Sequence, residues 1–194
     1  MLTPTELDEA MDNREAYCRA MMAQDGEVQG LIAGTSPLQK AHIIAPLFFE
    51  NHDEKVDLLN RVKKVFREKE VDEYFCIMEA WSLKAVEGED MSQWFGRLEQ
   101  HPNRIEVVTI MYVSYKVVRT RAFEIIREGD SQPTLKRLDG DDSTVDLTNP
   151  EATYGGYFAE LLPRYYGPTD TTEILAKKLA KGLVDGVMPK EVLL

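Results

Sequence analysis

At 194 residues, with 23 Lys and Arg against 34 Asp and Glu, the chain carries a net charge of −11. Its length suits one good-sized core, or one domain with an appendage. The charge opposes close approach to nucleic-acid phosphates or an anionic membrane, and no run nears the ~18 consecutive apolar residues of a spanning helix.

The opening MLTPTELDEA has neither the cationic nor the apolar region of a secretion signal, so a soluble, cytoplasmic protein is expected. Two cysteines, Cys18 and Cys76, are too few for a disulfide framework and point to a reducing compartment. A first helix is predicted from Pro4 to Gln24. Thr3 caps it, Glu6 completes the capping box, and Asp25-Gly26 ends it. Leu7, Met11, Cys18 and Met21 recur at helical spacing, Ala10 and Tyr17 widen the stripe, and Arg14 interrupts it.

Two strands follow, Val28 to Ala33 and Lys40 to Phe49, joined through the turn formers Gly34-Thr35-Ser36-Pro37 as a hairpin. His42 sits beside Ile43 and Ile44 and reads as a core histidine with no functional role. Asn51 and Glu54 then cap a helix running to about Glu68. Its apolar face is Val56, Leu59, Val62 and Phe66; Lys55, Arg61, Lys63, Lys64 and Arg67 form a solvated opposite face.

The run Val71 to Leu83 is apolar on both faces, Tyr74, Cys76, Met78 and Ala80 alternating with Phe75, Ile77, Trp81 and Leu83, as in a strand inside a sheet covered on both sides. Glu79, placed among Phe75, Ile77 and Trp81, reads as a buried carboxylate and the best chemical candidate in the chain. A structural ion pair with Arg119, Arg121 or Arg127 is the preferred reading over a catalytic acid or base. The segment Ala85 to Arg104 is expected to fold over the sheet's end, burying Trp94, Phe95 and Leu98. His101, before Pro102, would make an acid and base pair with Glu79 if the two met, although no nucleophile or third member is specified by spacing.

Ile105 to Arg127 reads as two strands turning near Ser114-Tyr115-Lys116, with Arg119, Arg121, Phe123, Ile125 and Arg127 on one face of the second. A short strand, Thr134 to Leu138, follows. Asp139-Gly-Asp-Asp142 lacks the spacing of a calcium loop and reads as a solvated acidic turn. The three histidines and two cysteines have no metal-ligand spacing, and no phosphate loop, dinucleotide fingerprint or nucleophile elbow is present, so no metal or cofactor is expected.

Beyond Asn149, Tyr154, Tyr157, Phe158, Leu161 and Leu162 form an aromatic stripe on a short helix weakened by Gly155-Gly156. Tyr165-Tyr166-Gly167-Pro168 makes a hinge. A final helix carries Ile174, Leu175, Leu179 and Leu183. The expected fold is therefore α+β: a mainly antiparallel sheet of about five or six strands, an N-terminal helix, one crossover helix and a C-terminal helical arm, divided as residues 1–148 and 149–194.

Glu79-Ala-Trp81, His101-Pro-Asn-Arg104 with Glu106, Ala122-Phe-Glu-Ile-Ile-Arg127 and Gly156-Tyr-Phe-Ala-Glu-Leu-Leu-Pro163 resemble a group of small uncharacterised proteins from bacteria and their phages. That resemblance implies a bacterial or phage source and carries no activity. Members of the group place a glycine turn between the last two long strands, where this chain has Ser114-Tyr-Lys116.

The expected function is a non-enzymatic protein-binding or assembly component, self-associating or docking into a larger complex. Trp94, Phe95, Tyr154, Tyr157, Phe158, Tyr165, Tyr166, Leu175, Leu179 and Leu183 are its candidate contact residues. A phage-encoded protein of this kind would be virion-associated. The alternatives are a hydrolase-like enzyme using Glu79 and His101, and an acidic nucleic-acid mimic that inhibits a host protein.

Overall fold

The computed structural model describes residues 2–37, 40–83, 100–129, 131–138, 140, 142–149, 158, 161 and 162. The chain divides into two units, Met1–Pro163 and Arg164–Leu194; the second lies outside the described residues.

Thr3 starts helix α1 (Pro4–Asp25) through the expected reciprocal cap. Its hydroxyl accepts the Glu6 N–H at 3.3 Å, and the Glu6 carboxylate accepts the Thr3 N–H at 2.7 Å. Gly26, at φ 75°, closes the other end by donating its N–H to the Met22 carbonyl. Leu7, Met11, Cys18 and Met22 are buried. The last step of the stripe is four residues, so Met22 rather than Met21 turns fully inward, and Tyr17 is exposed. Arg14 lies on the stripe instead of breaking it, with its guanidinium 4.3 Å from the centroid of the Phe75 ring. Burial there lowers its pKa from the usual arginine value.

Strands β1 (Leu31–Ser36) and β2 (Ala41–Pro46) form the expected hairpin, with the turn displaced. Gly34, Thr35 and Ser36 belong to β1, and the chain reverses between Pro37 and Lys40, whose N–H donates to the Pro37 carbonyl at 3.3 Å. Gly34 is a packing residue, not a turn former: a Cβ there would stand 2.8 Å from two ring carbons of Phe66. His42 is exposed on the outer strand, which corrects its reading as a core residue.

Helix α2 (His52–Glu68) begins at Asn51, whose side-chain oxygen accepts the Glu54 N–H at 2.9 Å. It buries Leu59, Val62 and Phe66. Its C-terminus closes with Val71 N–H donating to the Phe66 carbonyl and Glu70 N–H to that of Arg67, which requires the left-handed conformation that Glu70 adopts at φ 52°. Replacing Glu70 with glycine is expected to stabilise the protein by about 0.5–1 kcal/mol, because glycine takes this conformation without a Cβ clash. The urea midpoint should rise at unchanged m-value.

Strands β3 (Glu73–Leu83), β4 (Arg104–Ser114) and β5 (Val117–Ile126) run as a meander, followed by β6 (Thr134–Arg137) and β7 (Ser143–Asp146). The sheet order is β2-β1-β3-β4-β5-β6, with every pairing antiparallel. Because β2 and β3 both flank β1, α2 makes the expected crossover between them. β7, for which the sequence reading had no strand, pairs with Val117–Thr120 of β5, and β6 pairs with Phe123–Ile126 of the same strand. At the β4–β5 turn, the Ser114 hydroxyl accepts the N–H groups of Lys116 and Val117 at 3.3 and 3.1 Å. A side chain thus closes a turn that has no glycine.

The two helices cover opposite faces of the sheet. α1 packs on Phe75, Ile77, Val108, Ile110, Tyr112, Phe123 and Ile125. α2 packs on Ile32, Tyr74, Cys76, Met111, Val113 and Val118, joined by Leu161. Cys18 and Cys76 are free and buried in different clusters. Burial pushes the Cys18 thiol up to about 12, so it stays protonated and inert near neutral pH.

Candidate interaction surface

Most of the arginine on β5 is committed to holding α1. Asp142, just before β7, lies at the centre: it accepts from Arg119 Nε at 3.0 Å, Arg121 Nη2 at 3.3 Å and Arg137 Nη2 at 2.5 Å. Arg121 also reaches Asp12 and Glu15 of α1 at 2.8 and 3.0 Å, and Arg119 pairs with Asp8. The Arg121 side chain is 4% exposed. The hydrogen bond from Arg119 draws the Asp142 pKa below the usual carboxylate range. Asp142 therefore joins β5 to β6 and, through Arg119 and Arg121, supports the pairs to α1, a structural role beyond that of a solvated acidic turn.

Glu79 is exposed, not buried. β1 pairs with β3 only from Glu73 to Ile77, so beyond Ile77 the strand has β4 as its neighbour and leaves the ground covered by the helices. The Glu79 carboxylate accepts the Val28 N–H at 2.6 Å and so anchors the segment between α1 and β1. Of the three arginines expected beside it, Arg119 and Arg121 point to α1. Arg127 donates to Glu106 at 2.7 Å, with Glu79 adding a weaker attraction.

His101 is buried, and its Nδ1 accepts the Asn103 N–H at 3.0 Å. It lies in the turn entering β4, whereas Glu79 is opposite Val108. Four residue pairs separate that position from Leu83–Arg104, about 13 Å along the ladder. The register therefore does not set the two side chains opposite each other. Trp81, 39% exposed, carries the Arg104 guanidinium 4.8 Å from its ring centroid.

One buried polar pair was not legible in advance. The Tyr112 hydroxyl donates to Glu73 at 2.7 Å under α1. Burial raises the Tyr112 pKa, and the Glu73 hydrogen bond adds to the rise. Glu73 opens a strand whose next four residues are all buried, and it, rather than Glu79, is the enclosed carboxylate.

The apolar surface collects at the other edge of the sheet. Ile43, Ala45 and Leu47 turn toward the α2 cluster, while Ile44 is 70% and Phe48 67% exposed. Phe49 is half-exposed and stands 6.5 Å from Phe158, ring centroid to centroid. The Tyr74 hydroxyl donates to the Phe158 carbonyl, and Leu161 is buried, so this part of the expected arm is tied to the α2 face. Trp94, Phe95, Tyr154, Tyr157, Tyr165, Tyr166, Leu175, Leu179 and Leu183 lie outside the described residues.

An antiparallel sheet with α1 against one face and α2 against the other makes the protein a member of the α+β class. Comparison with protein-family models, curated proteins and solved structures returns no match for the chain. Among the described residues, no helix is long and apolar enough to cross a membrane.

Proposed function

We propose that the protein is a binding or assembly component of a bacterial or phage complex, working through apolar contacts with other protein chains. The observation that carries this reading is the exposure of Ile44 and Phe48 beside β2, the strand that ends the sheet among the described residues. Large apolar side chains grouped at such an edge favour contact with another polypeptide. Arg121 and Glu79 are engaged in holding α1 and the α1–β1 connection, which supports a structural use for them.

The C-terminal arm supplies the second contact in this reading, through Leu175, Leu179 and Leu183, which recur in the sequence at helical spacing after Gly167-Pro168. Static light scattering of the purified full chain tests the arm. Wild type is expected to show an oligomeric mass, and the triple substitution of Leu175, Leu179 and Leu183 to aspartate to reduce that mass at unchanged circular dichroism. An unchanged mass in the triple variant removes the arm from the proposal, and a wild-type protein that stays monomeric while binding no other chain removes the proposal itself.

A further inference from the structure

The direction of the backbone hydrogen bonds in β2 identifies which of its groups lack a strand partner among the described residues. Leu47 donates its N–H to the Gly30 carbonyl at 2.8 Å, one step beyond the pair Leu31–Pro46. In an antiparallel ladder this direction alternates. Ile43 and Ala45 therefore aim their N–H and C=O groups at β1, while His42, Ile44 and Pro46 aim theirs outward. Proline at position 46 fits, because its missing N–H would have pointed away from the sheet.

Resting on the assembly reading above, we propose that this edge pairs with β2 of a second copy of the chain, joining two sheets about a two-fold axis at Ile44. In that register the two Ile44 residues exchange both of their backbone hydrogen bonds. Each His42 N–H donates to a Pro46 carbonyl of the other copy. The most exposed large apolar side chain of the described surface then packs against its own copy, on the α1 side of the sheet but beyond the strands that α1 covers.

Three observations favour a second copy as the occupant. Two molecules of charge −11 repel each other, yet the run Ala41 to Phe49 contains no Asp, Glu, Lys or Arg. Self-pairing there brings together uncharged strands with self-complementary donors and acceptors. The opposite margin of the sheet is divided between two four-residue strands, β6 and β7, and β6 carries Lys136 and Arg137. Short, charged strands resist edge pairing, so association closes at two copies instead of propagating. Finally, one short strand pair buries less than the roughly 800 Å² per partner of a standard interface. Phe48, 67% exposed directly beyond the strand, supplies further apolar area on the same margin.

Sedimentation velocity of the full chain across a concentration series tests this. Wild type is expected to sediment as a dimer that dissociates on dilution. Ile44→Pro removes an outward N–H without touching the bonds to β1, and Ile44→Lys places a charge on the seam if the proline variant fails to fold. Either should weaken dimerisation about tenfold or more at unchanged circular dichroism, and Ile44→Val should preserve it. In hydrogen exchange, the amides of His42 and Ile44 should gain protection as wild-type concentration rises. A wild-type monomer at every concentration overturns the proposal, as does a dimer that survives both Ile44→Pro and Ile44→Lys. In the second case, dissociation by the Leu175, Leu179 and Leu183 substitutions would leave the assembly reading standing through the arm alone.

Discussion

Gly34→Ala is expected to lower the stability of the protein by about 2 kcal/mol, and the melting temperature by roughly 4–8 °C, because added volume in a packed core forces side chains off their preferred rotamers. The new Cβ would lie 2.8 Å from Cε1 and Cζ of Phe66 and 3.0 Å from Cγ1 of Val71. The Phe66 ring has little freedom to yield: it is fully buried, and Tyr74 stands 5.5 Å away, ring to ring. Phe66 and Val71 are also the residues joined by the hydrogen bond that closes α2. A shift of the ring therefore disturbs the end of the helix as well as the core. Alanine is otherwise better suited than glycine to a strand, by roughly 0.5–1 kcal/mol, so the clash has to exceed that gain. Thermal melts of Gly34→Ala, Phe66→Leu and the double variant check the mechanism. The double variant should lose less than the sum of the singles, since the smaller side chain makes room for the methyl group. Strict additivity would place the cost of Gly34→Ala elsewhere.

Asp142→Ala should cost about 2–3 kcal/mol, because it removes the acceptor shared by three arginines and leaves the buried Arg121 with less compensation. Arg121→Met is expected to cost less. It removes the buried charge together with its desolvation penalty, and of the carboxylates it frees, Asp12 is largely solvated at 72% exposure. The pH dependence has a definite sign. The pKa of Asp142 is depressed in the folded protein, so its contribution is present above the unfolded carboxylate value of about 4 and is lost as pH falls through the lower folded value. Urea denaturation of wild type and Asp142→Asn should therefore show a stability gap that is constant near neutrality and narrows below about pH 4. A gap that widens on acidification would contradict this assignment.

Both effects depend on partners distant in sequence, and that marks what could be read in advance. The caps at Thr3 and Asn51, the glycine closing α1, and the alternation along β3, β4 and β5 arise within a few residues. The fold class and strand order of the meander followed from them. Gly34 read as a turn former because its composition is that of a turn; the reason for glycine is a ring carried by a helix more than thirty residues further on. Asp142 read as one of several solvated aspartates, yet its arginines lie on β5 and β6, and Arg121 continues to Asp12, 109 positions away. Glu79 read as buried and is exposed for a similar reason. Hydrophobic pattern shows that a strand is apolar on both faces, but the point at which its neighbours stop is set by the register of other strands.

The sequence by itself determined α1 and α2, most of the described strands, the crossover of α2 and the two apolar faces of β3, because capping, turn chemistry and periodicity act between near neighbours. Only the tertiary structure decided that α1 and α2 cover the first half of β3, that Gly34 admits Phe66, that Asp142 gathers three arginines, and that β2 directs alternate backbone groups away from β1. These features depend on strand register and on side chains meeting across the sheet, where small changes in alignment alter which group is enclosed and which faces solvent.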